Sequence, residues 1–336
     1  MLTSVEICAG AGGQALGLEQ AGFKHLAVVE NDPHACETLR LNRSHPKLAK
    51  SRRWDVREMD VKNFDGREFE GVDLFAGGVP CPPFSVAGKQ LGAGDERDLF
   101  SRALELVEAT KPKAVLLENV KGLSTARFST YRQGIVDTLE DWGYMSHWQL
   151  INASEHGVAQ LRPRFVLVAL QTQYAANFSW PTPVGTPPNV GDVLYPYMAA
   201  NGWPGAQGWA KRADAIGPTL VGGSKKHGGP DLGPTRARQA WAMLGVNGGS
   251  LAEEAPDADF PVDGVPRLTV RMAAALQGFP SSWKFFGRKT AAYRQVGNAF
   301  PPPVAAALGR SIAAAIADRP DVVDLDRLPS RSRAKA

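Results

Sequence analysis

The chain has 336 residues, 43% hydrophobic and 21% charged, an ordinary balance for a folded globular protein of one large domain or a large and a small one. Its charge of +4 permits nucleic acid without demanding it, and three distant cysteines, Cys8, Cys36 and Cys81, argue against a disulfide framework or structural zinc and suit a reducing cytoplasm. The start MLTSVEICAG lacks the basic and apolar regions of a secretory signal, and no apolar run free of charge reaches membrane-spanning length, so neither export nor a span is expected.

Taken in chain order, residues 5–8 read as a strand, followed by a glycine turn and a helix over 14–21. Residues 27–30 read as a second strand, and Asp32-Pro33 supplies an N-cap and a first-turn proline for the next helix. Further buried strands fall at 72–76, 114–118 and 164–170, each bounded by turn residues. This alternation predicts an α/β fold with a doubly wound, Rossmann-like parallel sheet. After Gln173 proline and glycine become frequent, and no helical period returns until 236–244. Residues 173–284 therefore read as a smaller, irregular domain, with 1–172 and 285–325 as the two parts of the larger one and 326–336 as a frayed tail. Within the small domain a basic stretch carries Lys211, Arg212, Lys225, Lys226, Arg236 and Arg238, and an acidic one follows with Glu253, Glu254, Asp257, Asp259 and Asp263. The basic, glycine-rich GGSKKHGG can bring backbone close to phosphate; it reads equally as a solvated loop.

Several features carry chemistry. The turn Ala9-Gly10-Ala11-Gly12-Gly13 lets a ligand approach backbone at the head of a helix, an arrangement shared by nicotinamide, flavin and methyl-donor enzymes. Glu30 ends the second strand, where a carboxylate can accept bonds from both ribose hydroxyls, and Asp55 offers another for an adenine amino group. Cys81 stands in GGVPCPPFS, a stiff loop past a strand end that presents a thiol rather than hiding it. Glu118-Asn119 ends the strand after it, placing a candidate acid near that loop. Arg162 and Arg164, two apart and leading into a strand, are expected on one face, joined by a phosphate, Glu118 or the thiolate.

In this order, EICAGAGG, VVEND, WDV, GGVPCPPFS, LLENV, QLRPR, RLTVRMAAALQGFP and RQVGNAFPPP resemble the motifs of the C5-cytosine DNA methyltransferase family over the whole chain except the small domain and tail. The resemblance implies transfer of methyl from S-adenosylmethionine (SAM) to carbon 5 of cytosine, leaving S-adenosylhomocysteine and needing no metal. It implies that Cys81 adds to carbon 6, that Glu118 donates to ring N3 and holds the exocyclic amine, that Arg162 and Arg164 position the base and Glu118, and that Asn119 holds the catalytic loop. It places SAM against Ala9, Gly10 and Gly12, with Glu30 on the ribose, Asp55 and Val56 at the adenine, and Pro80, Leu99, Asn298 and Ala299 completing the pocket. The stretch from Val86 to Asp98 resembles the family's mobile loop. Double-stranded DNA is the implied partner, its base flipped from the stack. Candidate contacts are Ser85, Lys89 and Gln90 near the catalytic loop and Lys225, Lys226, His227, Arg236 and Arg238 in the small domain. A restriction endonuclease acting on the same site without binding, a monomeric state and a bacterial cytoplasm beside the nucleoid complete the expectation.

There are departures from the family pattern: Glu6 and Cys8 replace an aspartate and a phenylalanine, Trp54 a glycine before Asp55, and Pro82 a glutamine after Cys81. A nicotinamide-linked dehydrogenase would use the glycine turn and Glu30 but leaves Pro-Cys, Glu-Asn-Val and the paired arginines without a task. An RNA cytosine methyltransferase on the same scaffold is the alternative; the Cys-Phe-Thr signature of the tRNA-methylating branch is absent. A non-catalytic relative would have no need of the full catalytic set.

Overall fold

The computed structural model describes residues 1–43, 54–80, 99–222, 229 and 231–317. Seven strands, β1 Thr3–Ile7, β2 Lys24–Glu30, β3 Val56–Glu58, β4 Leu74–Gly78, β5 Ala114–Val120, β6 Tyr144–Asn152 and β7 Pro163–Gln171, form one sheet in the order β3-β2-β1-β4-β5-β7-β6. The first five run parallel, and β7 runs antiparallel to both β5 and β6. The doubly wound sheet is thus mixed rather than parallel throughout. Strand β6 had no clear signal in the sequence: it is an edge strand, and much of YMSHWQLIN stays exposed or half-buried.

The helices are α1 Gly13–Gln20, α2 Pro33–Asn42, α3 Leu99–Thr110, α4 Ser129–Asp141, the single-turn α5 Thr172–Ala175, α6 Val190–Met198, α7 Ala206–Arg212, α8 Thr235–Met243, α9 Val270–Leu276, α10 Lys289–Asn298 and α11 Pro302–Ile316. Asp32 caps α2 as its sequence predicts, accepting from the amides of His34 and Ala35.

Alternate residues of each central strand feed opposite faces of the sheet. Phe75, Val115, Leu117 and Leu167 join Phe100, Val107 and Leu139 on one side. Leu74, Ala76, Leu116, Val166 and Val168 join Leu18, Val304, Leu308 and Ile312 on the other. Runs such as AVLL in β5 are apolar without alternation because both faces are covered. The C-terminal α11 lies directly on α1. A Cβ on Gly17 would stand 2.4 Å from the Pro302 carbonyl oxygen, so only glycine permits the approach. The end of the chain thereby returns to its beginning and brings Asn298 and Ala299 to the first loop.

A third core is built on buried Trp203, Trp209 and Trp241 with α6, α8 and α9, and it runs on through Met272, Phe279 and Trp283 to Leu39 and Trp54 beside the sheet. Trp203 and Trp209 donate to the carbonyls of Pro261 and Gly245 at 2.9 Å, which satisfies buried indole groups in a region otherwise rich in turns.

Candidate active site

The strand order reverses between β1 and β4, and a crevice at the carboxyl ends of the strands forms where the connections part in opposite directions. A cavity of ≈ 600 Å³ opens there. Its walls come from the loop after β1, the ends of β2, β4 and β5, the turn after β3 and the turn between α10 and α11.

The first loop is wound tightly. Cys8, Gly10 and Gly12 all have positive φ, and Gly12 ends the loop as the N-cap of α1. Gly13 admits the other half of the site, since a Cβ there would stand 2.1 Å from the Phe300 carbonyl oxygen. Glu30, the last residue of β2, is locked by backbone: the amide of Gly10 donates to one oxygen at 2.8 Å, and those of Asn31 and Asp32 donate to the other at 2.9 and 2.8 Å. A carboxylate so held keeps a lone pair, on the oxygen that Gly10 also meets, for a hydroxyl in the cavity.

Of the residues expected around SAM, Ala9, Gly10, Glu30, Pro80, Leu99, Asn298 and Ala299 line this cavity. Three do not. Gly12 turns the loop and faces Leu39 and Trp283 instead. Asp55 and Val56 sit at the amino end of β3, whereas the cavity lies at the carboxyl ends; Asp55 is solvent-exposed and paired with Arg57 at 2.9 Å. The chain crosses the sheet edge and delivers Met59, Asp60 and Val61 to the cavity. Asp-Val occurs twice in this stretch, and the sequence does not mark which copy follows a strand and which precedes it. Also missed were Cys8, Gln14, Arg294 and Phe300, all in the lining. Gln14 had a readable signal, since it opens the helix after the glycine loop. It is buried, and its Nε2 finds no acceptor among the described residues, which leaves a donor for a ligand.

These residues fit SAM. Glu30 suits a ribose hydroxyl, Asp60 an adenine amino group, and Met59, Val61, Leu99 and Phe300 an apolar ring. Among the described residues, apart from its chain neighbours, no atom lies within 4 Å of where a Cβ on Gly10 would stand, which leaves the loop backbone room for a bound molecule. Burial, with Glu30 and Asp60 nearby, pushes the Cys8 thiol up to about 12, so Cys8 serves the cavity as a small neutral wall. Among the described residues no group of three His, Cys, Asp or Glu side chains is placed to hold a metal ion.

Glu118, at the end of β5, lines the same cavity. The Arg164 Nε, on β7, lies 2.5 Å from its Oε1, and both side chains are largely withdrawn from solvent. The other carboxyl oxygen faces Gly78, the register partner of Glu118 on β4. Asn119, beside it, donates from Nδ2 to the Val79 carbonyl at 2.8 Å and so ties β5 to the segment that enters Pro80-Cys81.

Arg162 is not where its spacing predicts. It is 1% exposed and donates to the carbonyls of Leu220 at 2.8 Å and Gly297 at 2.6 Å rather than to Glu118, although the charges of Arg164 and Glu118 both act on it. Strand β7 begins at Pro163, so the alternation that would align Arg162 with Arg164 does not extend back to it. Arg236 and Arg238 stand exposed on α8, and among the described residues neither meets a carboxylate. Cys81, Ser85, Lys89, Gln90, Lys225, Lys226, His227, the expected mobile loop and the expected tail lie outside the described residues.

The fold and the site together define a methyltransferase of the Rossmann-like, SAM-dependent class. More narrowly, the chain belongs to the C-5 cytosine-specific DNA methylase family, whose model matches residues 2–314. It is 54% identical over 333 residues to the Type II methyltransferase M.NaeI of Lentzea aerocolonigenes, covering 98% of this chain and 79% of that one. It is 49% identical over 318 residues to the Type II methyltransferase M.NgoMIV of Neisseria gonorrhoeae, covering 94% and 98%. A solved structure of Spodoptera frugiperda DNMT2, a mutant form, superposes with a TM-score of 0.63 at 17% identity over 93% of this chain and 100% of that one, a likeness of fold.

Proposed function

We propose that this chain methylates carbon 5 of one cytosine within a short specific sequence of double-stranded DNA, as the modification enzyme of a restriction-modification pair. The observation that carries the reading is that Glu118, braced by Arg164, opens into the same cavity as Glu30 and the glycine loop, so a base and a methyl donor meet at one place.

SAM, when bound, supplies a methyl group already activated by its sulfonium. Glu118 gives a proton to ring N3 of the flipped base and accepts from its exocyclic amine, with Arg164 fixing the carboxyl for both bonds. Ring protonation draws electrons from carbon 6, and the Cys81 thiolate adds there, forming a C–S bond and moving a π pair to carbon 5. Carbon 5 uses that pair to take the methyl group. Loss of the carbon 5 proton to a base restores the double bond and expels the thiolate, and ring N3 returns its proton to Glu118. Asn119 sets the entry of the Cys81 segment through Val79. Asp60, rather than Asp55, meets the adenine amino group, and Gln14 offers its free amide to the methionine end of the donor.

Residues 173–284 read the target within a two-part arrangement in which 1–172 and 285–325 bind the donor. Arg236 and Arg238 contact DNA from α8, and Lys225, Lys226 and His227 contact it from the segment before that helix. The enzyme acts as a monomer in a bacterial cytoplasm. An endonuclease cutting the same sequence acts independently of it.

The test uses DNA amplified with 5-fluorocytosine in place of cytosine. Fluorine cannot leave as the proton does, so the adduct stalls after methyl transfer. With SAM present, a protein–DNA adduct that survives denaturation and maps to Cys81 is the expected result. No adduct, from protein shown to bind the DNA and SAM, would refute covalent catalysis by this chain.

A further inference from the structure

We infer that Arg162 is a positioning residue that couples the donor cavity to the DNA-reading segment, so that binding at one is felt at the other. The inference rests on the methyltransferase reading above and extends it to a residue that touches neither ligand.

The C-terminal turn of α10 ends in carbonyls that the helix itself cannot satisfy. Gln277 donates to the Val296 carbonyl at 2.8 Å, and Arg162 donates to that of Gly297 at 2.6 Å. A cation at a helix C-terminus is favoured by the helix dipole, which helps explain a buried guanidinium with no carboxylate in ion-pair contact among the described residues. The other arm of the same guanidinium holds the Leu220 carbonyl at 2.8 Å, while Gln160 Oε1 accepts from the Leu220 amide at 2.8 Å. Both backbone groups of Leu220 are therefore gripped by side chains from the approach to β7. Gln160 also reaches the Gln277 side chain at 2.9 Å, which closes the network.

Leu220 and Gly297 belong to different parts of the molecule. Residues 217–222 lead into the basic GGSKKHGG stretch and so toward α8, whereas Gly297 is followed by Asn298 and Ala299 in the donor cavity. The two backbones touch just beyond the arginine. A Cβ on Gly222 would stand 2.4 Å from the Arg294 carbonyl oxygen and 2.6 Å from Asn298 Oδ1, and one on Gly297 would stand 2.3 Å from the Gly222 nitrogen. A shift of Asn298 against a bound donor thus meets the DNA-reading segment within one residue's contact. Arg162, two residues before the Glu118 partner Arg164, keeps those backbones in register.

The measurement is a thermodynamic box on the full-length chain: affinity for a duplex carrying its methylated site, with and without saturating S-adenosylhomocysteine. Wild type is expected to bind the duplex about tenfold more tightly with S-adenosylhomocysteine present. Arg162→Met is expected to bind each ligand alone within about threefold of wild type but to lose the coupling, and Arg162→Lys to recover part of it. Gly222→Ala, which leaves the arginine intact and forces the same contact apart, gives the same loss and carries the test if Arg162→Met does not fold. Coupling unchanged in a folded Arg162→Met or in Gly222→Ala, or absent from wild type, overturns the inference. Methylation by wild type is scored in the same preparation. Its absence counts against the enzyme reading, whereas methylation with unaltered coupling counts against the role of Arg162 alone.

Discussion

On the proposed mechanism the Glu118 carboxyl must meet both a ring nitrogen and an exocyclic amine and so has to be held in one orientation, and Arg164, whose Nε lies against its Oε1 while Nη1 donates to the Pro163 carbonyl, is the group placed to hold it. Lysine keeps the charge but not the plane, so Arg164→Lys should lower kcat by roughly a hundredfold with little change in KM for SAM, measured by tritiated methyl transfer. On the donor side the proposal concerns a different carboxylate. Asp60 lines the cavity and Asp55 does not, so Asp60→Ala should raise KM for SAM about tenfold, the equivalent of one lost hydrogen bond, while Asp55→Ala stays near wild type. The reverse pattern would restore Asp55 to the role its sequence suggested. His25, near the start of β2, lies buried against α1, bonded to Ser4 Oγ at 2.9 Å and the Ala15 carbonyl at 2.8 Å, and burial lowers it from 6.5 to about 4. The unfolded chain therefore takes up this proton first as pH falls. Stability from this residue is intact above 6.5 and is lost as pH drops toward 4. Thermal melts over that range should fall more steeply for wild type than for His25→Gln.

At the scale of elements, α1 and α11 make the return of the chain possible. Gly17→Ala would push a methyl onto the Pro302 carbonyl and the Ala305 side chain, with backbone on both sides to resist it. A loss of about 1–3 kcal/mol is expected, read as a lower melting temperature, with weaker SAM binding because Asn298 and Ala299 shift with α11. Strands β1, β2, β4, β5 and β7 were legible because buried apolar runs stood between turn residues, and α2 was legible from Asp32-Pro33, whereas the three-residue β3 was too short to show a pattern. Strand β6 was not legible, because an edge strand needs no apolar pattern. The helices α6, α7 and α9 were not either. Pro196 lies inside α6, and α7 and α9 are too short to show a period, so tertiary contacts with the tryptophan core decide them.

Across the whole molecule, the candidate residues legible in the sequence that meet in the cavity are those at strand ends: Glu30, Glu118, and Ala9 and Gly10 of the glycine loop. What could not be read depended on which end of a strand a residue occupies, as with Asp55, or on partners far along the chain, as with Arg162 and residues 220 and 297. The third core joins α6, α8 and α9 to the sheet through Leu39, Trp54 and Trp283, so the region proposed to read the target and the sheet share one packed interior. Arg236 and Arg238 stand exposed on α8, and if they meet phosphates as proposed, each substitution to alanine should weaken duplex binding and lower its salt dependence.

The most direct measurement is a base-resolution map of 5-methylcytosine in the DNA of a host that lacks cytosine methylation and expresses this chain, with Cys81→Ala run beside it. Methylation of a single cytosine within one short sequence is expected throughout the genome, and none above background in the variant. Unmodified DNA from cells making the folded wild-type protein, or equal methylation by Cys81→Ala, would contradict the proposed function.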